Sequence, residues 1–142
     1  MLKVVLDTNI FVSSVLSKTG RCATLIEAWH TGRYLLVTSP AITFEIKRVL
    51  ESDGIRKKYH LVGNQIENLI LLLEKYALVV PGISDTKGAV AEDPTDEMFL
   101  SAALDAKADL IVSGGHHLLN LREYRGIPVL TVEQFTELLE NR

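Results

Sequence analysis

Four acidic residues occupy positions where the sequence pattern does not favour a freely solvated carboxylate. Asp7 follows directly on the apolar run 2–6, which predicts a buried strand ending at the acid. Glu45 falls on the flank of the apolar face of a predicted helix. Apolar residues follow Asp96 at three, four, seven and eight positions, which places its carboxylate on the buried helix face, and Asp93 lies on the same side. These positions make the four acids candidates for a functional site.

Carboxylates that converge in a partly apolar cleft repel one another and are costly to desolvate unless a cation neutralises them. Ligation by carboxylates without cysteine suits a hard ion such as Mg²⁺ or Mn²⁺, which also takes phosphate oxygens as ligands. The pattern therefore favours a divalent-metal site formed by Asp7, Glu45 and Asp96, with Asp93 as a further ligand.

Each acid also has a purely structural interpretation. Asp7 or Thr8 is a good N-cap for the helix that begins near Ile10. Asp93 and Asp96 are suited to the N-terminus of the following helix, where a negative charge is favourable. Glu45 could be a partly solvated side chain. For the three acids jointly, the structural interpretation requires three separate coincidences.

Strands and helices that alternate along the chain must position these acids. Strands are predicted at 2–6, 34–37, 78–80, 110–112 and 128–130, each separated from the next by helical periodicity or a loop. This order predicts one α/β domain over residues 1–142, a three-layer α/β/α sandwich around a mainly parallel sheet. In such sheets the ligand crevice lies at the carboxyl edge, where Asp7 would stand.

The composition is that of an ordinary globular domain, with 47% hydrophobic and 23% charged residues. Since 15 basic residues oppose 18 acidic ones, overall charge indicates no polyanionic partner, and binding of nucleic acid would need metal ions or a local basic patch. The single Cys22 excludes an internal disulfide and a cysteine-based zinc cluster. No apolar run approaches the roughly 20 residues that span a bilayer, and residues 1–6 lack a signal-peptide core. We expect a cytoplasmic protein with no membrane segment.

The residues around these acids resemble the PIN-domain family, and in particular its prokaryotic branch of toxins from toxin–antitoxin pairs. The segments that carry the resemblance are VLDTNI at 5–10, FEIKRVL at 44–50, DPTDEMFLSAA at 93–103 and IVSG at 111–114. They occur in the family's order over nearly the whole chain. The resemblance implies a three-layer fold around a parallel sheet, Mg²⁺- or Mn²⁺-dependent endoribonuclease activity and a cognate antitoxin. It places the family's catalytic, metal-binding acids at Asp7, Glu45 and Asp96, with Asp93 a further acid of this branch.

One departure from the family pattern concerns the turn after the fourth predicted strand. The family usually has Ser or Thr, Gly and Asp there, whereas this chain has Ser113, Gly114 and Gly115. The fourth acid is therefore missing, which would weaken a second metal position most. His117 stands where this branch often has another acid, and both His116 and His117 could be ligands or surface side chains.

If the site is active, the expected reaction is metal-assisted hydrolysis of RNA phosphodiester bonds. Thr8, Asn9 and Ser113 are small polar residues placed to hold water or to orient the acids. The basic residues expected to contact the RNA backbone are Lys47, Arg48, Arg56, Lys57 and Lys58, with Tyr59 available for stacking. A solvated charged face is the alternative for each of them.

Two other functions and one further partner remain open. A catalytically inactive PIN fold that binds RNA or protein would suit the missing acid at Gly115. A phosphatase with Asp7 as nucleophile normally has a second Asp two residues later, and this chain has Asn9 there. The apolar run 69–73 is wider than one core-facing stripe, which predicts a homodimer or partner surface unless the helix is buried within the monomer.

Overall fold

The strands form one sheet with the first strand near its centre. The structure, a computed structural model, describes residues 1–61 and 63–142. Within these residues six strands are ordered β3-β2-β1-β4-β6-β5, and the β5–β6 pairing alone is antiparallel. The strands are β1 Lys3–Leu6, β2 Leu35–Thr38, β3 Leu78–Val79, β4 Leu110–Val112, β5 Glu123–Tyr124 and β6 Ile127–Leu130.

Helices connect the strands and complete the α/β/α architecture that the sequence predicted, which is confirmed. In the described part of the chain they are α1 Thr8–Leu16, α2 Arg21–His30, α3 Pro40–Glu51, α4 Asp53–Tyr59, α5 Gly63–Tyr76, α6 Glu97–Ala106, α7 His116–Leu119 and α8 Val132–Glu140. Helix α1 packs against α2 and α3, and α3 also packs against α5, whereas α6 packs against β1 and β2. None of the described helices has the length and apolar character required to cross a membrane.

The position of β1 explains why Asp7 lies at the centre of the sheet edge. Val5 pairs with Val37 of β2 on one side and with Ile111 of β4 on the other, and it is fully buried. Val4, whose side chain points to the opposite face, is also fully buried, and burial on both faces is typical of an interior parallel strand. Asp7, directly after this strand, therefore lies among the carboxyl ends of three parallel strands.

Local capping explains where two of the helices begin. The Ser39 hydroxyl accepts a hydrogen bond from Ile42 N at 3.3 Å, and Pro40 occupies the first turn of α3. Thr131 and Gln134 form a capping box at α8, with bonds of 2.9 and 3.0 Å. Both patterns, Ser before Pro and Thr three residues before Gln, are typical helix starts.

Strand β5 was not predicted from the sequence. Its two residues are too few to show an alternating pattern, and they form a tight antiparallel pair with β6. Arg122, Arg125 and Gly126 all have positive φ, at 60°, 48° and 86°, so the pair is made by left-handed backbone at non-glycine positions. Such conformations leave little signature in the sequence.

A carboxylate on α6 fixes the loop that leads to the acidic segment. The Asp105 carboxylate accepts hydrogen bonds from three backbone N–H groups, those of Gly82 at 2.6 Å and of Ile83 and Ser84 at 3.0 Å. The Ser84 hydroxyl also donates to Asp105, and this bond is the main reason that the pKa of Asp105 is lowered. Because these partners stabilise its charged form, Asp105 acts as a clamp between the loop and α6.

The apolar run on α5 divides between the core and the surface. Leu69 and Leu73 are buried, Leu72 is half-buried, and Leu71 is 60% exposed. The helix therefore packs one stripe into the monomer and leaves Leu71 in solvent. The homodimer predicted from this run remains a prediction.

Candidate active site

Residues from three separated segments line one cleft at the carboxyl edge of the sheet. The cavity has a volume of about 180 Å³. Its lining residues are Asp7, Thr8, Asn9, Glu45, Val49, Asp93, Thr95, Asp96, Met98 and Phe99. All four acids singled out in the sequence are thus brought together, with Val49, Met98 and Phe99 supplying an apolar wall.

A larger groove lies between α1, α2 and α5 and has different chemistry. Its volume is about 680 Å³, and Glu27 is the single acid among its lining residues. Val15, Ile26, Leu69 and Leu72 contribute to an apolar surface there. On chemical grounds the smaller acidic cleft, rather than this groove, is the candidate active site.

Asp7 is both a helix cap and a member of the cleft. Its Oδ1 accepts a hydrogen bond from Ile10 N at 3.3 Å, which is the N-cap interaction of α1. Its Oδ2 accepts from the Ser113 hydroxyl and from Gly114 N, the latter at 3.1 Å. Burial raises the pKa of Asp7, although hydrogen bonds, most of all that from Ser113, oppose the increase. The capping and site interpretations of this residue are therefore compatible.

The turn after β4 holds the Asp7 carboxylate in place. Ser113 is fully buried, and its hydroxyl oxygen accepts a hydrogen bond from Gly115 N at 3.0 Å. With that oxygen fixed, the hydroxyl donates to Asp7. Ser113 therefore orients an acid, one of the roles expected for it from the sequence.

The cleft also disfavours the charged form of Asp96. Its pKa is raised to about 6, first by burial and then by the neighbouring negative charges of Asp93 and Asp7, while His117 and His116 oppose the increase. Its side chain caps no helix N–H group. In the described part of the chain Asp96 is thus a crowded acid with no capping role that would explain its position.

Asp93 caps the 3₁₀ turn Pro94–Asp96. Its Oδ1 accepts hydrogen bonds from Thr95 N at 3.2 Å and from Thr95 Oγ1 at 2.5 Å. The capping role considered from the sequence is therefore present. Asp93 also lies close enough to Asp96 to raise the pKa of that acid, so its charge contributes to the cleft.

Glu45 lines the cleft, but Arg48 occupies both of its carboxylate oxygens. The guanidinium donates from Nε to Oε2 at 3.0 Å and from Nη2 to Oε1 at 2.6 Å. Sequence reasoning missed this pair, although a separation of three residues on one helix face could have indicated it.

The donor set of the cleft has the chemistry of a hard-cation site. Four carboxylates line it without a thiol, and Thr8 Oγ1 is buried with no hydrogen-bond partner among residues 1–61 and 63–142. In that same part of the chain no three His, Cys, Asp or Glu side chains are already arranged to hold a metal ion. Both Glu45 oxygens accept hydrogen bonds from Arg48, so a cation would have to compete with the guanidinium for this acid. The residues thus fit a divalent cation provided that Glu45 is released.

The basic residues predicted to contact RNA are distributed over three places. Arg48 contacts Glu45 of the cleft. Lys47 lies 3.8 Å from Glu51, and it lines with Arg56 a separate hollow of about 220 Å³. On α4, Lys57 and Lys58 are exposed, and Lys58 Nζ lies 5.5 Å from the centre of the Tyr59 ring. Arg48 is therefore the predicted RNA-contacting residue with a direct contact to the candidate site.

Gly115 has ordinary backbone geometry, with φ −93° and ψ 137°. A Cβ there would meet the Ser113 hydroxyl oxygen at 3.6 Å, an ordinary contact distance. Nearby, the rings of His116 and His117 lie 4.1 Å apart, and His117 Nδ1 is 2.9 Å from Glu92 Oε2. The site thus has room for a side chain at Gly115, and His117 is paired with an acid outside the cleft.

Comparison with known proteins gives one family match and similar solved structures. A model of the PIN domain family matches residues 3–117. An uncharacterized protein of Methanocaldococcus jannaschii is 30% identical over 122 residues, which is 86% of this chain and 76% of that protein.

Two solved structures share the fold. The crystal structure of VapBC2 from Rickettsia felis bound to a DNA fragment from their promoter aligns with a TM-score of 0.60 and 12% identity, covering 92% of this chain and 98% of that chain. DNA-bound VapBC from Salmonella typhimurium aligns with a TM-score of 0.58 and 20% identity, covering 93% and 99%. Since the family model spans most of the sequence and the fold agrees, this chain belongs to the PIN-domain family.

Proposed function

We propose that this protein is a divalent-metal-dependent endoribonuclease, one PIN-like domain over residues 1–142, and the toxin of a toxin–antitoxin pair. The observation that carries the proposal is the convergence of Asp7, Glu45, Asp93 and Asp96 in one cleft at the sheet edge. Burial and mutual repulsion raise the pKa of Asp96 to about 6, which is the expected property of acids that await a cation.

In this proposal Asp7, Glu45 and Asp96 hold Mg²⁺ or Mn²⁺, with Asp93 as a further acid. The bound ion would supply charge neutralisation at the scissile phosphate and activation of water as the nucleophile. Ser113 and Gly114 keep the Asp7 carboxylate in a fixed orientation, which limits the reorganisation needed when a ligand binds.

Small polar residues and basic residues would position the substrate. The buried Thr8 hydroxyl, which lacks a partner among the described residues, and the Asn9 side chain are available for water or phosphate oxygens in the cleft. Arg48 stands beside the acids and would contact the RNA backbone. More distant contacts would come from Lys47, Arg56, Lys57 and Lys58.

A cognate antitoxin and a second copy of the chain are the proposed protein partners. The two structural neighbours are VapBC assemblies, of the toxin–antitoxin class that the sequence resembles. Exposed Leu71 offers an apolar contact for a homodimer. A cytoplasmic location, where RNA and an antitoxin are both available, belongs to the same proposal. A short neighbouring gene for a DNA-binding antitoxin would support the toxin assignment.

The test is cleavage of a mixed single-stranded RNA, with a DNA of matched sequence, in Mn²⁺ and in EDTA. We expect RNA cleavage that requires Mn²⁺ and that Glu45→Gln lowers at least about 10-fold. Glu51→Gln is the matched control, because Glu51 lies on the same helix and pairs with Lys47 outside the cleft. Cleavage in EDTA, or equal loss in both variants, would contradict the proposal.

An inactive PIN fold that binds RNA or protein is the second candidate function. Gly115 in place of an acid and the capture of Glu45 by Arg48 both favour it. Binding and cleavage of the same RNA, measured in Mn²⁺, distinguish the two functions. Wild-type protein that binds the RNA but leaves it intact in Mn²⁺ would support the binding module.

A further inference from the structure

The Glu45–Arg48 pair has the geometry that a guanidinium also offers to a phosphate. Two N–H groups of Arg48 face the two oxygens of Glu45, at 3.0 and 2.6 Å. The same planar arrangement of donors binds the oxygens of a phosphate in a bidentate manner. Arg48 could therefore exchange one anionic partner for the other without a change in its own chemistry.

The two members of the pair differ in their access to solvent. The Glu45 side chain is 22% exposed and lines the acidic cleft, whereas the Arg48 side chain is 59% exposed. A polyanion that approaches the cleft from solvent would thus reach the guanidinium more readily than the carboxylate. The pair is placed so that a ligand can separate it from the Arg48 side.

We propose that Arg48 is a positioning residue that withholds Glu45 from the metal site until a phosphate of the RNA backbone takes the guanidinium. This inference rests on the proposed function and adds a regulation of the same site. While both Glu45 oxygens accept from Arg48, the positive charge and the two hydrogen bonds of the guanidinium compete with a cation for this carboxylate. When Arg48 moves to a phosphate, Glu45 becomes free to join Asp7 and Asp96.

The strength of the pair suits such an exchange. An exposed ion pair shifts an equilibrium by only about 1.5- to 5-fold, so a backbone phosphate can compete for Arg48. Because metal and RNA each favour the separated pair, each should raise the affinity for the other by the same factor. The protein would then bind its cation most tightly when substrate is present.

The first measurement is Mn²⁺ affinity by isothermal titration calorimetry in the absence of RNA. We expect Arg48→Gln to bind Mn²⁺ about 2- to 5-fold more tightly than wild type, because Glu45 is released. Arg21→Gln is the matched control, since it removes an Arg–Glu pair with Glu133 between α2 and α8 and should leave the affinity unchanged.

A double variant separates release of Glu45 from simple removal of a positive charge. In a Glu45→Gln background, Arg48→Gln should give no further gain in Mn²⁺ affinity. A gain of the same size in that background would mean that Arg48 acts only as a nearby charge, and the inference would be wrong. Equal Mn²⁺ affinity of wild type and folded Arg48→Gln would also overturn it.

The second measurement is binding of single-stranded RNA by fluorescence anisotropy in EDTA. We expect Arg48→Gln to lose about 3- to 10-fold in affinity and to reduce the salt slope by roughly 0.7, the value for one phosphate contact. RNA affinity and salt slope equal to those of Arg21→Gln would overturn the phosphate-binding role.

These results can be told apart from failure of the proposed function. Suppose that metal-dependent cleavage is lost in Glu45→Gln but that Arg48→Gln binds Mn²⁺ and RNA as the wild type does. This result would refute the exchange and would still support the proposed nuclease activity. If the wild type cleaves no RNA, yet Arg48→Gln binds Mn²⁺ more tightly than the wild type, the nuclease activity is refuted and the exchange is still supported.

Discussion

Two aspartates at opposite ends of α6 have opposite electrostatic environments. Asp105, near the end of the helix, accepts hydrogen bonds from three backbone N–H groups and from the Ser84 hydroxyl, and its pKa is lowered. Asp96 directly precedes the helix, caps no N–H group, and has a pKa of about 6 because burial and two other acids disfavour its charge.

The difference distinguishes a carboxylate with a structural role, Asp105, from Asp96, for which we propose a functional role. Asp105 is satisfied by the protein itself, so nothing further is needed to explain its position. Burial outweighs the hydrogen bonds that Asp7 accepts and raises its pKa, and burial raises the pKa of Asp96 as well. Carboxyl groups whose charged form is disfavoured in a cleft are typical of a ligand site. The predictions below test this contrast between the acidic cleft and the Asp105 clamp.

The largest expected difference is in catalysis. Asp7→Asn should reduce RNA cleavage in Mn²⁺ by at least about 100-fold, because it removes a proposed metal-binding carboxylate. Its melting temperature should change by less than about 3 °C, because relief of a buried charge opposes the loss of one acceptor, whose place the NH2 group takes opposite Ile10 N or opposite Ser113 and Gly114.

Asp105→Asn should show the opposite behaviour. It should lower the melting temperature by about 3 to 6 °C, as charge-assisted hydrogen bonds to the loop are weakened, while cleavage at 25 °C is largely retained. Calorimetry and the cleavage assay on the same samples check both variants. Similar effects of the two substitutions on activity would remove the distinction.

Metal binding should stabilise the protein through the cleft alone. At a concentration 100 times its Kd, Mn²⁺ should stabilise the fold by about 2.7 kcal/mol, or roughly 8 to 10 °C in melting temperature. Asp96→Asn should reduce this increase, whereas Asp105→Asn should show it in full. Equal increases in wild type and Asp96→Asn would assign Asp96 to the helix start instead.

Restoring the missing acid should increase activity by a smaller factor. Gly115→Asp is expected to raise Mn²⁺-dependent cleavage about 2- to 10-fold, because a fourth carboxylate would strengthen a second metal position. The negative φ of Gly115 and the 3.6 Å contact distance allow the side chain. The control is Asp7→Asn/Gly115→Asp, which should be inactive. Unchanged activity in folded Gly115→Asp would contradict the missing-ligand explanation.

The smallest predicted effect is on the pH dependence of stability without metal. A folded pKa of about 6 for Asp96, against an ordinary 3.8, means that the folded state takes up a proton first as pH falls. This group therefore makes the protein more stable at pH 5 than at pH 7 by a few degrees in melting temperature, and Asp96→Asn should remove that difference.

Asp105 should change the stability of the fold in the opposite direction, and in a lower pH range. Its lowered pKa gives stability that is present above pH 3.8 and is lost as pH falls through the folded value. Melting curves of metal-free wild type and each variant from pH 3 to 8 would measure both. A wild-type curve that coincides with Asp96→Asn between pH 5 and 7 would argue against the raised pKa.

The sequence alone predicted the features that follow from regular residue spacing within one strand or helix. A continuous apolar run placed β1 and the acid that follows it, and helical spacing placed Asp96 on the inward side of the next segment. The position of Glu45 on the flank of α3 was also readable from its spacing. Their shared cleft followed from the parallel order of the strands.

Features that depend on distant backbone or on one rotamer could not be predicted in the same way. The partners of Asp105 lie 21 to 23 residues away in a loop without periodicity, so no local pattern predicts the clamp. Strand β5 is two residues long and depends on positive φ at its flanks. The orientation of Glu45 toward Arg48, and the metal-binding roles of the acids, require information beyond spacing.

The hydrogen bonds that hold Asp7 have a consequence for synthesis on the ribosome. All four acids of the cleft are part of the chain once residue 96 is added, yet the hydroxyl and the amide that orient Asp7 come from residues 113 and 114, more than 100 positions after it. Such long-range contacts form late, after β4 has paired with β1. An abortive chain released before residue 113 would therefore carry every candidate ligand without the oriented site, so that only translation past β4 yields the complete cleft.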